Sequence, residues 1–339
     1  MSRSVGTTGI LNRRGFMAAT ASAATAGVVA ASSAQAQAQA QVQGDAPKGP
    51  AVWLDLDQKQ LDDAYDQSKY AANIRQVVGR YRTNSDITRA VLGAPKRLSY
   101  GASPIEGLDL YPAKGANAPI QVFLHGGAWR AELAKYYAFP AEMFVNAGVH
   151  YIALDFINVV EAKGDLMPMA EQCRRAVAWI YKNAASFGGD PNRIYLSGHS
   201  SGGHLGGVVA VTDWEKDFGL PKDVVKGAVL VSGMYDLKPV RLSARSNYIA
   251  FTDAMEQALS AQRHLEHLNA PLIVAYGSLE TPEFQRQSRD FAEAVKKAGK
   301  PVEVIRGEGY NHFEFVETMA NPYGQIGRAA LAQMKLAAR

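Results

Sequence analysis

Three strand-like runs in this 339-residue chain end in residues that could share one reaction. The stretch "RIYLSGHSSGG" (193–203) sets Ser200 between Gly198 and Gly202, a G-x-S-x-G pattern between a strand and a helix. A nucleophile on such a sharp turn has an unfavourable backbone, and glycines two before and two after it relieve the crowding. Ser201 has His199 and Gly203 at those offsets, so only Ser200 has the flanking the turn requires. A serine hydroxyl is a weak nucleophile near neutral pH and needs a base within hydrogen-bond reach. There are seven histidines. His125, His199 and His204 belong to glycine turns and the helix after Ser200, His150 opens a strand, and His264 and His267 lie in a long connection. His312, in "GYNHF", follows the last strand-like run and comes after Ser200 in the chain order Ser, acid, His.

An acid should orient that imidazole and stabilise its charged form. Glu280 stands three residues past Gly277, after the penultimate strand-like run. Glu283 falls inside a helix start, where it would serve the helix dipole, and Asp236 in "VSGMYDL" is the runner-up. Acyl transfer also builds negative charge on the carbonyl oxygen, which preorganised amides stabilise. The run "FLHGGAW" sets Gly126 and Gly127 after an earlier strand, so the expected donors are the N–H groups of Gly126, Gly127 and Ser201. The chain has no H-E-x-x-H, no paired-cysteine spacing and no G-x-x-x-x-G-K. Neither a metal nor a nucleotide site is therefore expected.

The elements that must position these residues alternate. "APIQVFLHGG" (118–127), "VHYIALDF" (149–156), "RIYLSG" (193–198), "VKGAVLVSG" (225–233), "APLIVAYG" (270–277) and "PVEVIRGEG" (301–309) are near-continuous apolar runs. That pattern belongs to strands covered on both faces, as in a parallel sheet. Between them, Met169, Cys173, Val177, Ile180 and Ala184 mark one face of a helix over 168–186, with a glycine and Asp-Pro turn in "FGGDPNR" after it. Residues 282–299 start with Pro282 and stop at Gly299. The prediction is one α/β domain over 51–339, an open, mostly parallel sheet with helices on both faces. "KRLSYG" and "GLDLYPA" could add an antiparallel edge. Residues 54–92, polar and helical, and the long connection 237–268 fall outside the alternation and are expected to wall a pocket.

The first forty residues differ from the rest. Arg3, Arg13 and Arg14 are their only charged residues, and without those three the formal charge falls from +4 to +1. The body is then nearly neutral, which argues against a nucleic-acid partner or an anionic membrane surface. Arg13-Arg14 precede Phe16, an alanine-rich apolar run follows to about Ala31, and Ala34-Gln35-Ala36 is one of several Ala-x-Ala sites. These features predict a twin-arginine export signal over 1–40, a Gln/Ala leader to about Pro50, the export machinery as a partner, and a periplasmic or secreted location. The apolar run is too short for a stable membrane anchor. Cys173 is the only cysteine, so no intramolecular disulfide forms. Its place on an apolar helix face predicts a small core residue.

The motifs resemble the α/β-hydrolase superfamily, in the branch whose His-Gly-Gly motif is shared by hormone-sensitive-lipase-like esterases. A closer likeness is to the arylformamidases, or kynurenine formamidases. It rests on "FLHGGAW", "SGHSSGGHL" with Asp213-Trp214, "VSGMYDLKPV", "TPEFQRQS" and "GYNHFEFVE", in that order, and on the early "AYDQSKYAAN". The resemblance implies a Ser200–His312–Glu280 triad, no cofactor, and a small ester, amide or formamide as substrate. The chain departs from that family in Glu280, where its members carry aspartate, in "ALDFINV", where many carry a tyrosine motif, and in the export signal. N-formylkynurenine arises in the cytoplasm, so the family's reaction type transfers more readily than its substrate. The rival reading is a non-catalytic binding protein of the same fold. Such proteins typically lose the serine, the histidine or the oxyanion glycines, all of which are present here.

Overall fold

The computed structural model describes residues 49–337, so the expected export signal and most of the leader lie outside the described residues. The strands are β1 (Lys96–Ser99), β2 (Gly107–Tyr111), β3 (Ala118–Leu124), β4 (His150–Leu154), β5 (Gly189–His199), β6 (Val225–Val231), β7 (Leu272–Gly277) and β8 (Val302–Gly307). They form one sheet in the order β1-β2-β4-β3-β5-β6-β7-β8. β1 and β2 pair antiparallel, β2 pairs antiparallel with β4, and every later pair is parallel. This is the α/β-hydrolase fold, with the antiparallel edge supplied by "KRLS" and "GLDLY".

The apolar runs are continuous because both faces of the central strands are covered. On β3, Ile120, Val122 and Leu124 enter one cluster while Phe123 enters the other. On β7, Leu272 and Val274 face one way, and Ile273 and Ala275 the other. The first face is covered by the helices Met167–Asn183, Ser201–Ala210 and Pro282–Lys297, through Met169, Cys173, Val208, Phe284 and Phe291 among others. Ile74–Leu92, Ala141–Asn146 and Gln325–Gln333 cover the second. Cys173 is fully buried, and that burial pushes its thiol well above the usual range. No helix among the described residues is long and apolar enough to cross a membrane.

Two elements differ from expectation. β8 is an edge strand paired only with β7, so Val304 is 46% exposed and the both-face covering expected for "PVEVIRGEG" fails there. β5 begins at Gly189, earlier than the apolar run, because Gly189 pairs with Ala118 before the register shifts to Ile194 opposite Ile120. The Asp-Pro turn is therefore a bulge inside the strand, closed by the Asn192 N–H donating to Asp190 Oδ1 at 2.9 Å.

The helix Ser201–Ala210 lies directly beneath the strand ends, and its glycines allow this. A Cβ on Gly202 would stand 2.1 Å from the Leu124 carbonyl oxygen and 2.4 Å from that of His125. One on Gly198 would stand 2.1 Å from the Gly202 carbonyl oxygen. Gly79, within Ile74–Leu92, has nothing within 4 Å of such a Cβ. Gly202→Ala should therefore lower stability by roughly 1–3 kcal/mol through overpacking. Gly79→Ala should be neutral or stabilise by up to about 1 kcal/mol. Urea unfolding of the two variants checks this, and equal midpoints would contradict the close-approach argument.

Candidate active site

Ser200 sits where β5 gives way to the helix Ser201–Ala210, with φ 58° and ψ −123°. A left-handed φ on a residue with a Cβ is strained, and the surroundings over-determine it. Ser200 N–H donates to the Val231 carbonyl on the neighbouring strand at 2.9 Å, and the Ser200 carbonyl accepts from His204 N–H at 3.0 Å. Both ends of the residue are thus tied to regular structure, and the side chain is left facing a cavity.

His312, expected from sequence as the base, meets Ser200 there. Its Nε2 lies 2.9 Å from Ser200 Oγ, and its Nδ1 lies 2.8 Å from Glu280 Oε2. An ionised carboxylate only accepts, so the Nδ1 carries the proton and the Nε2 lone pair faces the serine hydroxyl. Both side chains are almost fully enclosed, at 2% and 0% exposure. A buried carboxylate without partners is costly, and Glu280 has several. Its Oε1 accepts from Ser232 Oγ at 2.6 Å and from Gly277 N–H at 2.6 Å. Its Oε2 also receives Gln67 Nε2 at 3.4 Å. It immediately precedes the helix Pro282–Lys297, capped by Thr281, and the positive end of that helix favours a negative charge.

The two alternative acids are engaged elsewhere. Glu283 pairs with Arg286 and accepts from the Tyr65 hydroxyl. Asp236 caps Leu237–Leu242 and pairs with Arg263 at 2.8 Å. The other histidines near the site are neutral packing groups. His199 donates from Nε2 to the His312 carbonyl at 2.8 Å, and burial, with the neighbouring His312 ring, holds it well below the usual histidine range. His204 accepts from Trp129 Nε1 and donates to the Leu259 carbonyl, and burial pushes it down to about 4. His125 stacks on Phe156 with ring centroids 4.3 Å apart.

The glycine loop after β3 lies beside Ser200. Gly126 packs against the nucleophile turn, where a Cβ would stand 3.3 Å from Ser200 Cβ. Gly127 and Ala128 line the cavity, with φ +103° and +56°. Ser201 is the first residue of its helix, and amides of the first turn have no acceptor within the helix. Of the three expected donors, Gly127 lines the cavity, Ser201 opens the helix and Gly126 packs against the nucleophile turn.

The cavity above these groups has a volume of about 650 Å³. Tyr65, Gln67 and Tyr81 line it from the N-terminal segment, and Arg245 and Tyr248 from the long connection before β7. Both segments outside the strand–helix alternation therefore contribute walls. Sequence reasoning did not single out Ser232 or Gln67. Only Ser232 left a trace, because it closes a strand-like run at the sheet end where an acid was sought.

A family model described as BD-FAE matches residues 108–294, which include Ser200 and Glu280 but stop short of His312. A kynurenine formamidase from Danio rerio is 28% identical over 282 residues, covering 79% of this chain and 94% of that protein. Among solved structures, a putative thioesterase from Silicibacter sp. TM1040 superposes with a TM-score of 0.70 at 23% identity, covering 81% of this chain and 98% of that one. Esterase 2 of Thermogutta terrifontis, in a form phosphoramylated by tabun, gives a TM-score of 0.61 at 21% identity, covering 73% and 97%.

The geometry makes a sharp distinction between two adjacent hydroxyls. Ser200→Ala should lower kcat for p-nitrophenyl acetate by on the order of 10⁴-fold or more while leaving the melting temperature within a few degrees. Ser201→Ala retains its backbone amide and should lose far less. A greater loss in Ser201→Ala would reverse the assignment.

Proposed function

The chain belongs to the BD-FAE family, and we propose that, as a serine hydrolase, it cleaves a small carboxylic ester or aryl formamide through an acyl-enzyme on Ser200. The observation that carries this reading is the hydrogen-bonded chain from Ser200 Oγ through His312 to Glu280 at the floor of the cavity. Ser200 Oγ attacks the substrate carbonyl carbon as its proton passes to His312 Nε2. Charge develops on the carbonyl oxygen, where the amides of Gly126, Gly127 and Ser201 would receive it. The carbon–leaving-group bond then breaks, and the alcohol or amine departs with the proton held by His312. Water, deprotonated by His312 in turn, attacks the acyl carbonyl, and cleavage of the acyl–Oγ bond frees the acid and restores Ser200. Glu280 remains a carboxylate throughout, holding the imidazole and balancing its charge.

A volume of about 650 Å³ suits a small molecule. The tyrosine and Phe313 rings along the wall offer stacking surface for an aryl group. The similarity to a kynurenine formamidase supports acyl transfer from an aryl formamide, and the fold shared with esterases accommodates the ester reading equally.

We further propose that the protein is exported. Arg13-Arg14 ahead of the alanine-rich run supports the twin-arginine route, which carries folded proteins and suits a chain without disulfides. Arg13→Lys with Arg14→Lys should retain the precursor in the cytoplasm. Immunoblots of cell fractions read this out, and undiminished periplasmic recovery would sink the export proposal.

Export would separate the enzyme from cytoplasmic N-formylkynurenine. We therefore expect short aryl esters to be preferred. Esters have the better leaving group in any such site, so the test is comparative. The ratio of kcat/KM for p-nitrophenyl acetate to that for N-formylkynurenine should exceed, by on the order of tenfold, the ratio for a cytoplasmic arylformamidase assayed alongside. A preference for N-formylkynurenine as strong as the control's would make this pocket one built for kynurenine chemistry.

A further inference from the structure

The N-terminal segment does more than wall the cavity. Gln67 opens the short 3-10 helix Gln67–Lys69 and is 5% exposed, though its neighbours Asp66, Ser68 and Lys69 lie at the surface or near it. Its amide bridges two consecutive residues of the acid loop. Nε2 donates to Glu280 Oε2 at 3.4 Å, and Oε1 accepts from Thr281 N–H at 3.3 Å. The same loop is gripped a second time, because Thr281 Oγ1 donates to the Ala64 carbonyl at 2.6 Å. Asp66 fixes the turn that presents Gln67 by accepting from Ser68 N–H and Ser68 Oγ at 3.1 and 2.6 Å.

The segment also holds the loop of the base. Asn311 Nδ2 donates to Asn73 Oδ1 at 2.9 Å, and Asn73 Nδ2 donates to Glu314 Oε1 at 2.6 Å. The Tyr81 hydroxyl donates to the Phe313 carbonyl, and Arg80 pairs with Glu317. His312 is thus bracketed by two residues, Asn311 and Phe313, whose polar groups are tied to Asn73 and Tyr81. Acid and base come from loops 32 residues apart in the chain, and the 64–81 stretch is bonded to both.

We propose that Gln67 is a positioning residue of the triad, fixing the Glu280 carboxylate against His312, and that the 64–81 stretch is thereby part of the catalytic machinery as well as of the substrate cavity. The inference rests on the triad reading above. The chemistry favours an amide at this position. Glu280 Oε2 already accepts from His312 Nδ1–H and can accept again, so a neutral donor fills the remaining site without adding charge. A cation there would compete with the imidazolium for the carboxylate. A carboxylate there would repel it. The amide oxygen meanwhile serves the Thr281 N–H, so one side chain locks both the orientation of the acid and the backbone that carries it.

The test uses the whole chain with Gln67→Met and Gln67→Ala. Methionine keeps the length and volume of glutamine and removes both polar groups. Active sites are first titrated with a fluorophosphonate, so that rates refer to folded, competent enzyme. The inference expects kcat for p-nitrophenyl acetate to fall on the order of tenfold in both variants, with KM within roughly twofold. The second-order rate of fluorophosphonate labelling of Ser200 should fall in parallel. A packing role would instead leave Gln67→Met close to wild type, and a purely substrate-contacting role would raise KM with kcat unchanged. Either result overturns the inference. Neither touches the triad reading, which fails separately if Ser200→Ala keeps its activity.

Discussion

The strained backbone at Ser200 is the constraint on which the rest of the site depends. A side chain at φ 58° costs on the order of 1–3 kcal/mol and persists only where the surroundings enforce it. Here β5 brings the chain in, the helix Ser201–Ala210 carries it out, and Val231 on β6 holds the amide between them. The helix can lie this close because Gly198 and Gly202 leave no Cβ against the opposing carbonyls. Strain of the same kind recurs at neighbouring strand ends, with φ 56° at Ala128, 61° at Trp129 and 56° at Ser232. Ala128 follows β3 and Ser232 follows β6, so each borders the cavity floor or the acid. The parallel sheet makes these coincidences possible, because it brings the ends of β3, β5, β6 and β7 to one edge.

The second requirement is electrostatic. A carboxylate enclosed as fully as Glu280 must be surrounded by donors, and it draws them from four separate parts of the chain: His312, Ser232, Gly277 and Gln67. The longer reach of glutamate compared with aspartate fits this arrangement. Its carboxylate spans from the end of β7, where Gly277 supplies an amide, to the end of β6, where Ser232 supplies a hydroxyl. Burial holds His125, His199 and His204 below the usual histidine range, so His199 adds no competing charge at the imidazole that changes state.

What could be read from sequence was what is local. The G-x-S-x-G spacing, the apolar strand runs and the order Ser, Glu, His are short-range patterns with a steric or periodic cause, and they led to Ser200, Glu280 and His312. The glycine pair, whose Gly126 packs against the nucleophile turn, was legible in the same way. β8 reads as an apolar run like its neighbours, and its exposure follows from being last in the sheet order. Gln67 lies 213 residues from Glu280, in a polar stretch without periodicity, and Asn73 meets Asn311 across a separation of 238. Contacts of that kind are products of the finished topology.

The structure thus divides reaction from selectivity along the chain. The sheet and the loops at its edge carry the groups for acyl transfer, and these depend on spacing that a hydrolase of any substrate must keep. The cavity is walled by two additions to that scheme, 54–92 and 237–268, whose contributions include Tyr65, Tyr81, Arg245 and Tyr248. Arg245 donates to the Tyr65 carbonyl and to the Tyr248 hydroxyl, so the two walls are bonded to each other over the floor. A change in either wall can therefore alter what fits without disturbing the Ser200–His312 contact. The exception is the 64–81 stretch, which reaches both the wall and the acid. Through it, substitutions made for substrate fit bear on the alignment of the triad.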